Sequence, residues 1–147
     1  MMQPRPYSLA VKAVMVDNGG RCLLLRRSPA NRSYVGYWEW PGGKVDPGED
    51  FASAVARETK EETDLEVELT GLAGATSFTI PEGEVVLLCM QARITGGSIR
   101  LSHEHDQHAW VPLNEFAEWK LSDAVRDFML DYARRTLAAA KGDHHAS

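Results

Sequence analysis

Hydrophobic and polar positions divide the chain into blocks of different period. Leu9 to Asp17 (LAVKAVMVD) is Val-rich and partly alternating, which predicts a strand, with Lys12 interrupting its apolar run. Asn18-Gly19-Gly20 is a tight-turn signal, and Arg21 to Arg27 (RCLLLRR) returns as a second strand, so the two are expected to form a hairpin. Ser28 to Pro41 reads as a loop loaded with Tyr34, Tyr37, Trp38 and Trp40. Pro47-Gly48 precedes a helix expected from about Phe51 to Thr63, with Asp50 as its N-cap. Glu66 to Ile80 leans towards strand but is broken by Gly71 and Gly74, and a Pro81–Glu84 turn follows. Val85 to Ile94 (VVLLCMQARI) is the strongest buried-strand signal. Gly96-Gly97 turns the chain, Ser102 to Gln107 (SHEHDQ) reads as a polar loop, and His108 to Val111 as a short strand. From Ser122 the spacing of Val125, Phe128, Met129, Tyr132 and Leu137 predicts an amphipathic helix ending at Gly142, with 142–147 a frayed tail. Several strands and two helices in one chain predict an α/β fold, a sheet flanked by helices.

At 147 residues the chain is expected to be one domain, 1–147. No apolar run approaches the ~20 residues of a bilayer span, so no membrane partner is expected. The N-terminal MMQPRPYSLAVKAVMV is interrupted by Lys12 and lacks a small-residue cleavage site, so it reads as the first strand rather than a signal peptide. Cys22 and Cys89 sit inside apolar runs, which suits buried free thiols in a reducing compartment, and a cytoplasmic location. With a formal net charge of −5 and no basic stripe, polymeric nucleic acid is not an expected partner. An anionic substrate would need a cation to mediate.

The segment Gly42 to Leu65 (GGKVDPGEDFASAVARETKEETDL) changes the picture. At about 100° per residue, Phe51, Ala54, Val55 and Leu65 share the stripe that should face the core, and Glu58, Glu61 and Glu62 fall on it too. Glu58 and Glu62 are a like-charge i,i+4 pair. Burying three acids beside one cation, Arg57, is expensive unless a divalent ion joins them, and all-oxygen ligands suit Mg²⁺ or Mn²⁺ better than zinc. A solvated helix end carrying Arg57–Glu61 and Lys60–Asp64 surface pairs explains the same acids; on helix geometry alone the two readings stand level. Gly42-Gly43 before the helix lets backbone approach a ligand, and Glu49 sits just ahead of the helix start.

Gly43, Glu49, Arg57-Glu58 and Glu61-Glu62 resemble the Nudix box, G-x5-E-x7-R-E-U-x-E-E-x-G-U, with U a bulky aliphatic. Six of the seven fixed positions agree, and Leu65 fills the last aliphatic slot. The approach WEWPGGKVDPGE is similar to that of MutT-like members. Thr59 stands where an aliphatic is usual and Asp64 where the box has glycine, which bears on the helix ending rather than on any carboxylate.

The resemblance implies an α/β/α sandwich around a mixed sheet, and hydrolysis of a diphosphate bond in a nucleoside diphosphate derivative by water, with divalent metal. It implies that Glu58, Glu61 and Glu62 hold the metal, with Glu58 also activating water, and that Arg57 orients the glutamates through Glu49. Lys44, after Gly42 and Gly43, is implied to contact a phosphate. Many members add an acid from a later loop, a place similar to that of Glu104, here expected as metal ligand or base against a solvated loop acid. His103, His105 and His108 invite a zinc reading, but loop histidines so close together are expected to be solvent-exposed. Tyr37, Trp38, Trp40 and Phe78 would stack on a base or, as favoured here, anchor packing. Pro81 stands near the proline of ADP-ribose-cleaving members, yet its turn accounts for it. The leading expectation is a Mg²⁺-dependent pyrophosphohydrolase of nucleoside triphosphates, as monomer or homodimer. An ADP-ribose or nucleotide-sugar hydrolase and a catalytically silent nucleotide sensor are the alternatives.

Overall fold

The structure, a computed structural model, describes residues 6–145. The first five residues of the N-terminal segment and the last two of the expected tail lie outside the described residues. The elements run β1 (Tyr7–Val14), β2 (Arg21–Arg27), β3 (Trp38–Glu39), β4 (Gly42–Lys44), α1 (Phe51–Thr63), β5 (Glu66–Ile80), β6 (Gly83–Gly96), β7 (His105–Pro112), a 3-10 turn (Phe116–Glu118) and α2 (Asp123–His145). Helix α2 passes Gly142 instead of stopping there, because three alanines and a lysine ahead of it favour helix enough to carry one glycine.

The strands form two sheets, one ordered β4-β1-β6-β5 and mixed, the other β3-β2-β7 and antiparallel. The expected hairpin of the first two strands shrinks to a single bridge, Val16 with Cys22. The reason is edge occupancy: β1 pairs with β4 on one side and β6 on the other, leaving β2 to pair with β7 and β3. The glycines in Glu66 to Ile80 interrupt pairing without ending it. The strand continues through register shifts at Leu69/Gly71 and Leu72/Gly74, as bulges allow.

Alternation along β1 sorts its side chains between two cores. Val11, Ala13 and Met15 join Leu23, Leu25, Ala54 and Val55 beneath α1, whereas Ala10 and Val14 join Trp40, Phe128 and Met129 beneath α2. The helices therefore cover opposite faces, the α/β/α arrangement that the family resemblance implies. Lys12 falls on the α2 side between Ala10 and Val14, a cation in an otherwise apolar row. Cys22 and Cys89 are buried and free. Among the described residues no helix is long and apolar enough to cross a membrane.

Candidate active site

Helix α1 starts where its cap requires. Asp50 has an extended backbone, and its side chain accepts a hydrogen bond from the Ser53 N–H at 2.7 Å. It ends on Asp64, left-handed at φ 64 and ψ 12, whose N–H returns to the Lys60 carbonyl. Ala54, Val55, Thr59, Glu62 and Thr63 are its buried residues, so Thr59 takes the packing place of the usual aliphatic. Phe51, on the same stripe but in the first turn, is exposed. The three acids divide: Glu62 is buried, Glu58 is mostly covered, and Glu61 keeps 60% of its side chain exposed.

The glycines of β4 are pressed against these acids. The Gly42 N–H donates to Glu62 Oε2 at 3.0 Å. Gly42 has φ +145, and a Cβ there would lie 2.0 Å from the Val11 carbonyl oxygen, so only glycine fits. A Cβ on Gly43 would stand 2.6 Å from the Glu58 carboxyl carbon. Arg57 fastens the assembly. Its guanidinium donates to both oxygens of Glu49 at 2.8 and 2.9 Å, to Glu58 at 2.9 Å and to the Lys44 carbonyl at 3.3 Å. Hydrogen bonds from Arg57 and from the Asp46 N–H hold Glu49 down at about 2, and those same bonds to Glu49 and Glu58 raise Arg57 further. The expected surface pairs, Arg57–Glu61 at 3.6 Å and Lys60–Asp64 at 3.0 Å, are also present.

Glu62 carries the electrostatic deficit. Burial pushes its carboxyl up to about 8, Lys12 and the Gly42 N–H pull it down only in part, and Glu39 and Glu58 add repulsion. As placed, no three His, Cys, Asp or Glu side chains among the described residues converge as a preset ligand set. The donors on α1 are nonetheless all carboxylate oxygens, and the buried acid lacks enough local positive charge. Both properties fit a hard divalent cation.

Lys44 is exposed at the end of β4, and Glu104 is exposed in the loop before β7. That loop reaches α1: the Arg100 N–H donates to the Thr63 carbonyl at 2.8 Å and the Ser102 N–H to the Glu62 carbonyl at 3.1 Å. Of the three histidines, His103 and His108 are exposed as expected, but His105 is buried, at 2% side-chain exposure. It is withdrawn because its Nε2 lies 2.8 Å from the Glu39 carboxylate. Trp40 is a packing anchor, with its N–H on Met129 Sδ at 3.1 Å and its ring edge-on to Phe128.

Sequence reasoning missed a second charged cluster. Glu39 on β3 meets Arg27 of β2 at 3.0 Å, Lys12 of β1 at 3.7 Å and His105 of β7 at 2.8 Å. Burial alone would raise its pKa, but the Lys12 charge, the His105 hydrogen bond and the Arg27 charge bring it to about 2. One signal for this cluster was visible, the lysine inside an apolar strand.

A glycine strand held against a carboxylate helix by a buttressed arginine, within an α/β/α sandwich, defines a hydrolase of the Nudix class. The NUDIX domain family matches residues 6–132, and the chain belongs to that family. It is 29% identical over 133 residues to a CTP pyrophosphohydrolase of Escherichia coli (strain K12), covering 90% of this chain and 96% of that protein. It is 34% identical over 112 residues to a putative 8-oxo-dGTP diphosphatase 2 of Mycobacterium tuberculosis, covering 76% and 78% of the two chains. The crystal structure of a MutT protein from Methanosarcina mazei Go1 superposes with a TM-score of 0.84 at 33% identity, covering 92% of this chain and 99% of that one. The protein is a MutT-like hydrolase of pyrophosphate bonds in nucleotide derivatives.

Proposed function

We propose that this enzyme is a Mg²⁺-dependent pyrophosphohydrolase that cleaves nucleoside triphosphates, acting through one Nudix domain in the cytoplasm. The observation that carries the reading is the contact of the glycine strand with the acids, Gly42 N–H on Glu62 at 3.0 Å and Gly43 against the Glu58 carboxylate. The backbone that would receive a polyphosphate is thereby set on the side chains that would hold its counter-ions. Glu58, Glu61 and Glu62 would supply the metal ligands, joined by Glu104, with Mn²⁺ an acceptable substitute. Bound divalent cations neutralise the polyphosphate and lower the pKa of the attacking water.

The chain's own residues supply the rest. Arg57, locked by Glu49, fixes the orientation of Glu58 and ties Lys44's backbone to the helix, while the exposed Lys44 ammonium has no ion-pair partner among the described residues and is available to meet a phosphate. Glu58 and Glu104 are the carboxylates available to take a proton from water. Buried free Cys22 and Cys89 support a reducing location.

The test is a panel of canonical and oxidised nucleoside triphosphates, ADP-ribose, nucleotide sugars and dinucleoside polyphosphates with Mg²⁺, scored for phosphate and pyrophosphate. Release of pyrophosphate and a monophosphate from triphosphates is the expected result. Preference for ADP-ribose or a nucleotide sugar would reassign the substrate class, and turnover of nothing would leave a nucleotide sensor.

A further inference from the structure

The buried cluster around Glu39 lies outside the box: β1 and β2 each contribute a cation to it, Lys12 and Arg27, and β7 contributes the His105 ring. A carboxylate 16% exposed would be replaced at less cost by an apolar residue if filling space were its only task. Its partners give a more specific reason. His105 is the first residue of β7, and Glu39 is the one hydrogen-bond partner of its ring among the described residues: Nε2 meets the carboxylate, while the buried Nδ1 has none. The pairing of β2 with β7 changes register where Arg27 meets His105. Such a bulge bends the strand and re-aims the side chains beside it.

The residue immediately before His105 is Glu104, and its backbone is held with unusual completeness. The Glu104 carbonyl accepts from the Ser28 N–H at 2.9 Å and from Asn31 Nδ2 at 2.7 Å. The His103 carbonyl accepts from the Ser28 hydroxyl at 2.6 Å. On the other flank, Ser102 is bonded to the Glu62 carbonyl of α1. No hydrogen bond or ion pair engages the Glu104 carboxylate itself among the described residues. A segment tied at two successive carbonyls and at the following ring, yet leaving its one acid unpaired, is built to present that acid.

We propose that Glu39, acting through His105, is a positioning residue, and that together with Asn31 it holds the 103–105 segment so that Glu104 faces the glutamates of α1. The inference rests on the reading of Glu104 given above. Glu39 and His105 lie 66 positions apart in sequence, and their contact at 2.8 Å joins the strand entering the glycine segment to the loop acid. The two sources of carboxylate, α1 and the loop, are thus registered to each other through β3 and not through the helix alone.

A double-mutant cycle tests this, with kcat and KM measured on the triphosphate turned over best, in Mg²⁺, and with amide hydrogen exchange of residues 102–106 measured without metal. Glu104→Gln should lower kcat by at least ~30-fold and leave the exchange of the segment unchanged. His105→Leu and Asn31→Ala should each lower kcat by roughly 10-fold with KM within about threefold, and should speed exchange in that segment alone. Placed in the Glu104→Gln background, each should cost less than about twofold more. His105→Gln, whose amide can donate near the position of Nε2, should recover most of the loss. If His105→Leu fails to fold, Asn31→Ala and His105→Gln decide the question. Losses that multiply in the Glu104→Gln background, or faster loop exchange with an unchanged kcat, would overturn the positioning role. Wild-type turnover by Glu104→Gln would instead overturn the reading of Glu104 beneath it.

Discussion

Glu62→Gln isolates the cost of a buried acid. Burial pushes Glu62 from an ordinary value of 4.5 up to about 8, so between those values the folded chain keeps a proton that the unfolded chain has released. Its contribution to stability is therefore full below pH 4.5 and is lost as the pH climbs towards 8, at up to about 1.4 kcal/mol per pH unit. The accumulated penalty by pH 8 is about 3–5 kcal/mol in the absence of metal. Glutamine removes the ionisation but keeps an oxygen to accept the Gly42 N–H, which donates at 3.0 Å in the wild type. In chelator the two proteins should melt within about 2 °C of each other at pH 4.5–5, and the variant should be higher by on the order of 10 °C at pH 8. Mg²⁺ should close that gap by raising the wild type, because a ligand that binds only the folded state stabilises it and the amide has lost the charge that attracts the ion. Thermal melts followed by circular dichroism across this range are the assay. Melting curves whose separation does not change with pH would refute the reasoning, and a wild type indifferent to Mg²⁺ would refute the metal role.

Local rules made α1 legible in the sequence. Asp50 as cap and Thr63 as last helical residue each depend on neighbours within four positions, and the structure has both. The pairing of Arg57 with Glu49, eight residues apart, was implied by the resemblance to the Nudix box rather than by local rules, and the structure has it. The partition of the glutamates was not legible. One stripe was assigned to Glu58, Glu61 and Glu62, but Glu61 lies about 100° around the helix from Glu62, enough to carry it from buried to exposed. The Glu39 cluster was illegible because its members come from four strands, and strand pairing is fixed by which edges are free. The same edge competition turned the expected hairpin of β1 and β2 into neighbours in separate sheets. His105 shows the consequence: a polar string reads as solvated until the chain supplies a buried partner from 66 residues away. Lys12 was the available clue, because a cation in a buried row demands a counter-charge.

Four further substitutions separate the roles within the site. Glu61→Gln should lower kcat by at least ~100-fold with little change in melting temperature, since its carboxylate is exposed and, under the proposed function, it serves as a metal ligand; a variant within threefold of wild type would remove it from the proposed ligand set. Gly43→Ala should cost activity by ~10-fold or more while folding normally, because the new methyl, 2.6 Å from the Glu58 carboxyl carbon, displaces a flexible side chain rather than backbone; unchanged kcat would show that Glu58 tolerates displacement. Arg57→Lys should lose at least ~10-fold in kcat, because an ammonium cannot keep both Glu49 bonds and the Glu58 bond that the guanidinium makes together; kinetics and a melt on the same preparation distinguish a lost orientation from a lost fold. Asp64→Gly probes the departure from the box. At φ 64 and ψ 12 aspartate occupies a conformation that glycine adopts freely and that costs other residues about 1 kcal/mol, less for aspartate. Its charge also opposes the negative end of the helix dipole by roughly 0.3–1 kcal/mol. Against these stand the exposed pair with Lys60 at 3.0 Å, which contributes about 0–1 kcal/mol, and the extra freedom glycine brings to the unfolded chain, roughly 0.4–1 kcal/mol. The terms nearly cancel with a small balance towards glycine, so the melting temperature should rise by about 0–3 °C and kcat should stay within about twofold. A fall of several degrees would mean that the Lys60 pair outweighs backbone strain at this helix end. A fall in kcat would mean that the helix end at Asp64, whose carbonyl packs on Gly97, sets the position of Glu62 two residues before it.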